Sequence, residues 1–333
     1  MSERRDSYKK VAKNILHLIA KHYSYLALRE EEFKKASSAL QNRVDKIKDD
    51  EKFIKHVLKS LFIMRDPHIR IVDGTGKGIG THEFKKRKNY NGELLKKYFK
   101  GKNNNKAIVS RKKGNLIYIR IGSLADRYRS DLEKMYREIN FGKYHKWIID
   151  LRANKGGNDS LANRLIKNLA GLGDPFISSH ARFRTNEKNP KQLSEFTPNY
   201  VFPGKKYQQK DIVVLIGNNT YSSAELVTMD LAAIPGTVLI GDITGGGSAR
   251  PERYLVDGPL VGKKIDNNKN PLKHKSRFAL DIPSWLKYRL DQFLLQDRGI
   301  APHIFIPASK SIIGKRDIVL EKALEFHRNP LIC

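Results

Sequence analysis

Three short apolar runs, Lys146 to Leu151, Ile212 to Ile216 and Val238 to Gly241, constrain this chain more than any other feature. Runs this short, bounded by polar or glycine-rich turns, read as strands covered on both faces. Between and around them lie helical patterns at Ser130 to Ile139, Ser160 to Ala170 and Ser223 to Ala233. Strands that alternate with helices predict a largely parallel sheet with crossover connections. Ala107 to Ser110 and Leu116 to Ile121 are strand-like too, joined by a Lys-Lys-Gly-Asn turn. The stretch from Gly173 to Gln209 lacks periodicity and holds four prolines, so it is expected to be a long loop excursion.

The first sixty-odd residues follow a different rule. Val11, Ile15, Leu18 and Ile19 make one stripe of a 3.6-residue period. Phe33, Ala36, Leu40, Val44 and Ile47 make a second stripe, and Phe53, Val57, Leu58, Leu61 and Phe62 a third. Three amphipathic helices with short connections predict a small bundle. Asp66-Pro67 ends the third, because a residue before proline is pushed out of helical geometry, and Ile69 to Val72 restarts as a strand. The expected organisation is a helical subdomain over residues 1–66 and an α/β core over 67–330 with a basic insertion at 83–113.

Composition narrows the function classes. Hydrophobic residues make up 39% and charged residues 30%, a globular balance. No apolar run reaches the roughly 18 residues of a membrane span, and the N-terminus lacks the apolar segment of a secretory signal. A cytoplasmic location is therefore expected for the chain as given, with a removed leader left open. The single cysteine, Cys333, allows neither an internal disulfide nor a cysteine-based metal site.

Sixty-four Lys and Arg against 35 Asp and Glu give a formal charge of +29, which favours anionic partners. Twelve of those bases lie between Lys85 and Lys113, with Glu93 as the only acid. Phe84, Tyr90, Tyr98 and Phe99 are interleaved, a pattern suited to stacking on bases; an ordinary solvated surface is the blander reading. Gly74, Gly76, Gly78 and Gly80 fit neither a Walker A nor a dinucleotide spacing and read as a flexible turn.

Four separated segments carry candidate chemistry. Asp150 to Gly157 is a strand running into a Gly156-Gly157 turn, where backbone N–H groups can face a developing oxyanion. Tyr221-Ser222-Ser223-Ala224-Glu225 places serines at the start of a helix. That is either a plain cap with a capping-box acid or a hydroxyl held at a dipole that favours a nearby oxyanion. Asp66-Pro67-His68 sets a histidine at the opening of a strand. Asp297 to Ile304 is a turn leading into the strand Ile304 to Ile306.

The order of these segments resembles the C-terminal processing and tail-specific serine peptidases, relatives of the tricorn protease core. The family pattern Asp-Leu-Arg-x-Asn-x-Gly-Gly is matched at Asp150 to Gly157, and Ser-x-Ala-Glu at Ser222 to Glu225. Gly-Asp/Glu-x-Thr-x-Gly is matched at Gly241 to Gly246, and Gly-Ile-x-Pro-Asp-Ile nearly so at Gly299 to Ile304, where His303 replaces the aspartate. Tyr118 to Ile121 is similar to the family's Tyr-Ile-Arg-Ile strand.

The resemblance implies an α/β fold with a crotonase/ClpP-like core and an N-terminal helical subdomain, and a serine-type endopeptidase acting through an acyl-enzyme. It implies Ser222 as nucleophile, three residues before Glu225, with the Ser223 N–H as one oxyanion donor and Gly156 or Gly157 as the other. Thr244 to Ser248 lacks the lysine that some members use as base. The tricorn-like branch takes a histidine from an Asp-x-His motif, which implies His68. Its acid precedes the Gly-Ile-x-Pro turn, where Gln296 and Asp297 compete and only Asp297 carries charge.

The 49 residues between His68 and Tyr118 are too few for the peptide-binding PDZ module of many relatives. No metal or organic cofactor is implied, and the expected partner is a peptide or unfolded protein, with acidic ones favoured by the charge. Two other readings stay open at this point: a catalytically inactive binding member of the same fold and, more distantly, a nucleic-acid-associated basic protein. The oligomeric state is not legible.

Overall fold

The computed structural model describes residues 7–81, 87–100, 106–204, 210–247, 249–267 and 269–328. The chain divides into two compact units. One joins Met1–Lys85, Ala181–Thr197 and Ala249–Leu286; the other joins Lys86–His180, Pro198–Ser248 and Lys287–Cys333. This departs from the boundary expected at residue 66, and strand pairing is the reason. Strand Arg70–Val72 pairs antiparallel with Ala279–Pro283, which pairs in turn with Pro251–Leu255. Backbone hydrogen bonds thus tie the N-terminal region to chain some 200 residues away.

In that unit the helices are Tyr8–His22, Glu30–Gln41 and Asp50–Leu61, the first and third capped by Ser7 and Asp49. Val11, Ile15, Leu18 and Ile19 are all buried, as their stripe requires. The second stripe is longer than its helix. Asn42 is extended and Arg43 left-handed, so buried Val44 belongs to a separate 3₁₀ turn. Phe62 lies beyond the third helix and is 51% exposed; the turn Phe62–Met64 sends Met64 inward instead. A five-stranded antiparallel sheet completes the unit, in the order Lys264–Ile265, Pro251–Leu255, Ala279–Pro283, Arg70–Val72, Gly78–Gly80.

The other unit holds a six-stranded sheet in the order Ile304–Phe305, Val238–Gly241, Asp211–Ile216, Lys146–Asp150, Leu116–Ile121, Ile108–Lys113. Every neighbouring pair is parallel except the last. Side chains alternate between two cores. Ile117, Ile119, Ile149, Ile212, Val214 and Ile216 pack with residues of the helices Arg129–Glu138, Asn163–Leu169 and Ser223–Ala232. Tyr118, Ile148, Val213, Leu215 and Ile240 pack on the opposite face with Leu95, Phe99 and the helix Ile318–Phe326. Both faces being covered, the central strands carry continuous apolar runs rather than an alternating pattern.

Two further expectations need correction. The stretch 173–209 is not all loop: Phe176–Arg182 and Thr197–Val201 are strands of a three-stranded sheet with Leu286–Tyr288. Their polar residues hid them. Ser178 is buried, yet its hydroxyl is satisfied by Asp230 at 2.6 Å. Nor is the basic segment one exposed insertion, although Phe84, Lys85, Lys86 and Lys102 lie outside the described residues. Ile108–Lys113 is the edge strand of the large sheet, where lysines discourage pairing with another chain. Phe99 is 4% exposed and the Tyr98 hydroxyl donates to Glu321 at 2.7 Å, so both rings anchor to the core rather than offering faces for stacking. Among the described residues no helix is long and apolar enough to cross a membrane.

Candidate functional site

Central strand Asp211–Ile216 ends at Gly217, and the polar turn that follows is locked to its neighbours. The Thr220 hydroxyl donates to Leu151 O at 3.0 Å and accepts from the Gly217 N–H, while the Tyr221 N–H donates to Asn154 O at 3.0 Å. Ser222 then takes φ 56°, ψ −128°, and helix Ser223–Ala232 begins. A non-glycine residue in this region costs on the order of 1–3 kcal/mol and persists only where its surroundings enforce it. A plain helix cap sits in extended geometry and needs no such strain. The sharp strand–turn–helix bend instead presents a hydroxyl ahead of a helix N-terminus.

The capping acid does more than cap. Glu225 is fully buried, and its carboxylate accepts from the Ser222 N–H at 3.2 Å, the Gly246 N–H at 2.8 Å, the Gly247 N–H at 2.9 Å and the Thr244 hydroxyl. It thereby fastens the start of the helix to the Thr244–Gly247 loop.

The paired-glycine turn lies directly against Ser222. Gly156 has φ 98°, and a Cβ there would fall 2.8 Å from Ser222 Cβ and 3.1 Å from Ser223 N. Gly157 has φ 135°, and its Cβ would fall 2.2 Å from Leu124 O. Only glycine fits either position. Most polar groups of the turn are committed. The Gly156 N–H donates to Asn154 Oδ1 at 2.8 Å, Gly156 O accepts from the Leu124 N–H, and Gly157 O accepts from the Ser223 hydroxyl at 2.7 Å. Among the described residues, the N–H groups of Gly157 and Ser223 donate to no protein atom. Two open donors therefore flank the Ser222 turn.

The charged part of the same motif is structural. Arg152 is 1% exposed; it pairs with both oxygens of Asp150 at 3.0 and 2.8 Å and with Asp317 at 2.8 and 2.9 Å. Asp150 also accepts from Tyr118 at 2.7 Å. Burial would raise the Asp150 carboxyl, but the Arg152 charge and hydrogen bonds hold it below the usual range. These charges are consumed in holding the strand that delivers the glycines.

Asp297 sits on the other side of the Thr244–Gly247 loop. Its N–H donates to Gly246 O at 2.7 Å, its φ is 64°, and its carboxylate accepts from the Gln296 amide at 3.1 Å. Asp297 is exposed and Gln296 buried.

His68 belongs to the helical unit, in the turn between Met64 and strand Arg70–Val72. It is 1% exposed and Asp66 is fully buried. Asp66 Oδ1 accepts from the His68 backbone N–H at 2.9 Å and lies 3.6 Å from the ring Nδ1. Asp66 Oδ2 accepts from the Tyr23 hydroxyl at 2.8 Å. Burial pushes the Asp66 carboxyl up, but the His68 and Tyr23 hydrogen bonds outweigh it and leave it below the ordinary aspartate value. Tyr23 is driven well above its ordinary value by burial and then by the Asp66 charge. Sequence reasoning used Asp66 only as a helix stop and a motif letter; Tyr23, 43 residues away, gave no local signal.

A family model, peptidase family S41, matches residues 115–306, more than half of the chain. The chain belongs to peptidase family S41. The matched segment contains Gly156, Gly157, Ser222, Ser223 and Asp297, whereas His68 lies outside it. The family is one of serine-type peptidases, and the α/β core with its N-terminal helices is the fold of its members.

Solved structures similar along nearly the whole chain include a candidate peptidase from Parabacteroides merdae ATCC 43184, with TM-score 0.72, 16% identity and 96% of each chain covered. A photosystem II D1 C-terminal processing protease gives TM-score 0.56 at 10% identity, covering 95% of this chain and 97% of that one. In sequence, a nisin-resistance protein of Lactococcus lactis subsp. lactis is 33% identical over 144 residues, 42% of this chain. That match spans 44% of the relative's own length.

Proposed function

We propose that this S41 member is a working serine endopeptidase with Ser222 as nucleophile, His68 as base and a carboxylate, Asp66 or Asp297, supporting the imidazolium. The carrying observation is the strained Ser222 turn flanked by two open N–H donors. In the reaction, His68 removes the Ser222 proton as the hydroxyl oxygen attacks a peptide carbonyl. The Ser223 and Gly157 amides take the negative oxygen of the tetrahedral adduct, each worth roughly 3–4 kcal/mol. Gly156 is the weaker candidate because Asn154 already holds its N–H. His68 then protonates the leaving amine, and water, activated by the same ring, releases the acyl group from Ser222.

The substrate reading is cleavage within peptides and unfolded proteins. Tail-restricted processing, the activity in the name of the D1 protease, draws little support from a chain with only 49 residues between His68 and Tyr118. Exposed Lys96, Lys97, Lys100, Lys112 and Lys113 favour acidic peptides, an effect that salt screens. Reaction with a fluorophosphonate followed by peptide mapping tests the core of the proposal. The adduct is expected on Ser222; no adduct, or one on another residue, overturns it.

A further inference from the structure

Asn154 is fully buried in the turn between the Asp150 strand and the paired glycines, and both its side-chain oxygen and its side-chain nitrogen are hydrogen-bonded. Its Oδ1 accepts from the Gly156 N–H at 2.8 Å, and its Nδ2 donates to Ile121 O at 2.9 Å. Its backbone O accepts from the Tyr221 N–H at 3.0 Å, immediately before Ser222. One residue thus touches both segments that carry the open amides, and a third strand holds it in place.

We propose that Asn154 is a positioning residue that selects Gly157, not Gly156, as the oxyanion donor and sets its distance to the Ser222 turn. By occupying the Gly156 N–H, Asn154 fixes the peptide plane that precedes Gly156. The Leu124 N–H holds Gly156 O, which sets the plane of the next peptide, and the Ser223 hydroxyl holds Gly157 O, so of the two glycine amides the Gly157 N–H is the one left open. Pre-set donors stabilise the transition state without reorganising during the reaction. A displacement of about 1 Å is enough to lose on the order of 100-fold in rate. The inference rests on Ser222 being the nucleophile.

The test compares Asn154→Ala, Asn154→Asp and wild type, each normalised to active sites titrated with a fluorophosphonate. A peptide aldehyde serves as inhibitor, because addition of the Ser222 oxygen to its carbonyl carbon creates the oxygen that the donors must hold. Asn154→Ala is expected to lower kcat per titrated site about 10- to 100-fold with KM within about threefold, and to weaken the aldehyde by the same factor. Asn154→Asp, which keeps an acceptor for the Gly156 N–H but loses the donor to Ile121 O, is expected to recover part of both. A purely structural role would change the number of titrated sites and leave kcat per site and aldehyde affinity intact, which overturns the proposal.

Amide exchange in the wild type decides the matter should Asn154→Ala not fold. Gly156 is expected to be slow throughout and Gly157 to become slow only with the aldehyde bound; the reverse pattern overturns the assignment. Wild-type protein that never labels at Ser222 would instead sink the peptidase reading on which this one stands.

Discussion

The Ser222 turn and the Asp66–His68 turn hold their side chains by opposite means. Around Ser222 the restraint is backbone: two glycines with no room for a Cβ, a left-handed serine, and a web of N–H donors converging on Glu225. Around His68 the restraint is side chain: one buried carboxylate takes a backbone N–H, faces a ring nitrogen and accepts a tyrosine hydroxyl. The first kind fails when volume is added. The second fails when a polar atom is removed, and it is the kind that responds to pH.

The largest effect expected separates the two serines. Ser222→Ala should abolish hydrolysis of an unfolded substrate, by up to about 10⁶-fold in kcat, whereas Ser223→Ala keeps its N–H and should retain most activity. A dead Ser223→Ala beside an active Ser222→Ala would move the nucleophile by one residue. Next comes the base and its partner. His68→Ala should cost several orders of magnitude in kcat in the molecules that still fold, and it should also lower the melting temperature, because it strips the buried Asp66 of a partner. Asp66→Asn and Asp297→Asn, measured side by side, identify the supporting carboxylate as the one whose loss lowers kcat further. Equal, negligible losses in both would leave His68 acting without a carboxylate.

How far the sequence reached follows the same division. The strand–turn–helix bend at Ser222 was legible because short motifs in fixed order mark it. Its φ was not, since backbone strain leaves no letter. Gly156 and Gly157 read alike as glycines, and only the Asn154 contact tells them apart. Tyr23 and Asp66 meet through folding alone. The sheet that joins Arg70–Val72 to Ala279–Pro283 was equally hidden, because pairing across some 200 residues depends on no local pattern.

Two smaller effects sharpen the contrast. Gly157→Ala adds a Cβ 2.2 Å from Leu124 O and should destabilise the fold by roughly 3 kcal/mol, read as a shift in urea midpoint. A neutral result would mean the turn can open. Tyr23→Phe removes one hydrogen bond to a buried carboxylate and should cost about 2 kcal/mol at pH 7. Asp66 is depressed in the folded state, so the stability it contributes is present above the ordinary aspartate value of 3.8 and is lost as pH falls through the lower folded value. The advantage of wild type over Asp66→Asn should therefore narrow between pH 7 and pH 3. An advantage that stays constant or grows on acidification would contradict the depressed carboxyl.

The left-handed backbone at Ser222 also bears on how such a chain would drift over generations. Glycine adopts that conformation without penalty, so a lineage that no longer used the hydroxyl would gain stability by a single replacement. The serine found there carries that strain together with a hydroxyl that also caps the helix, so a Ser222→Gly replacement would trade the cap for an easier backbone.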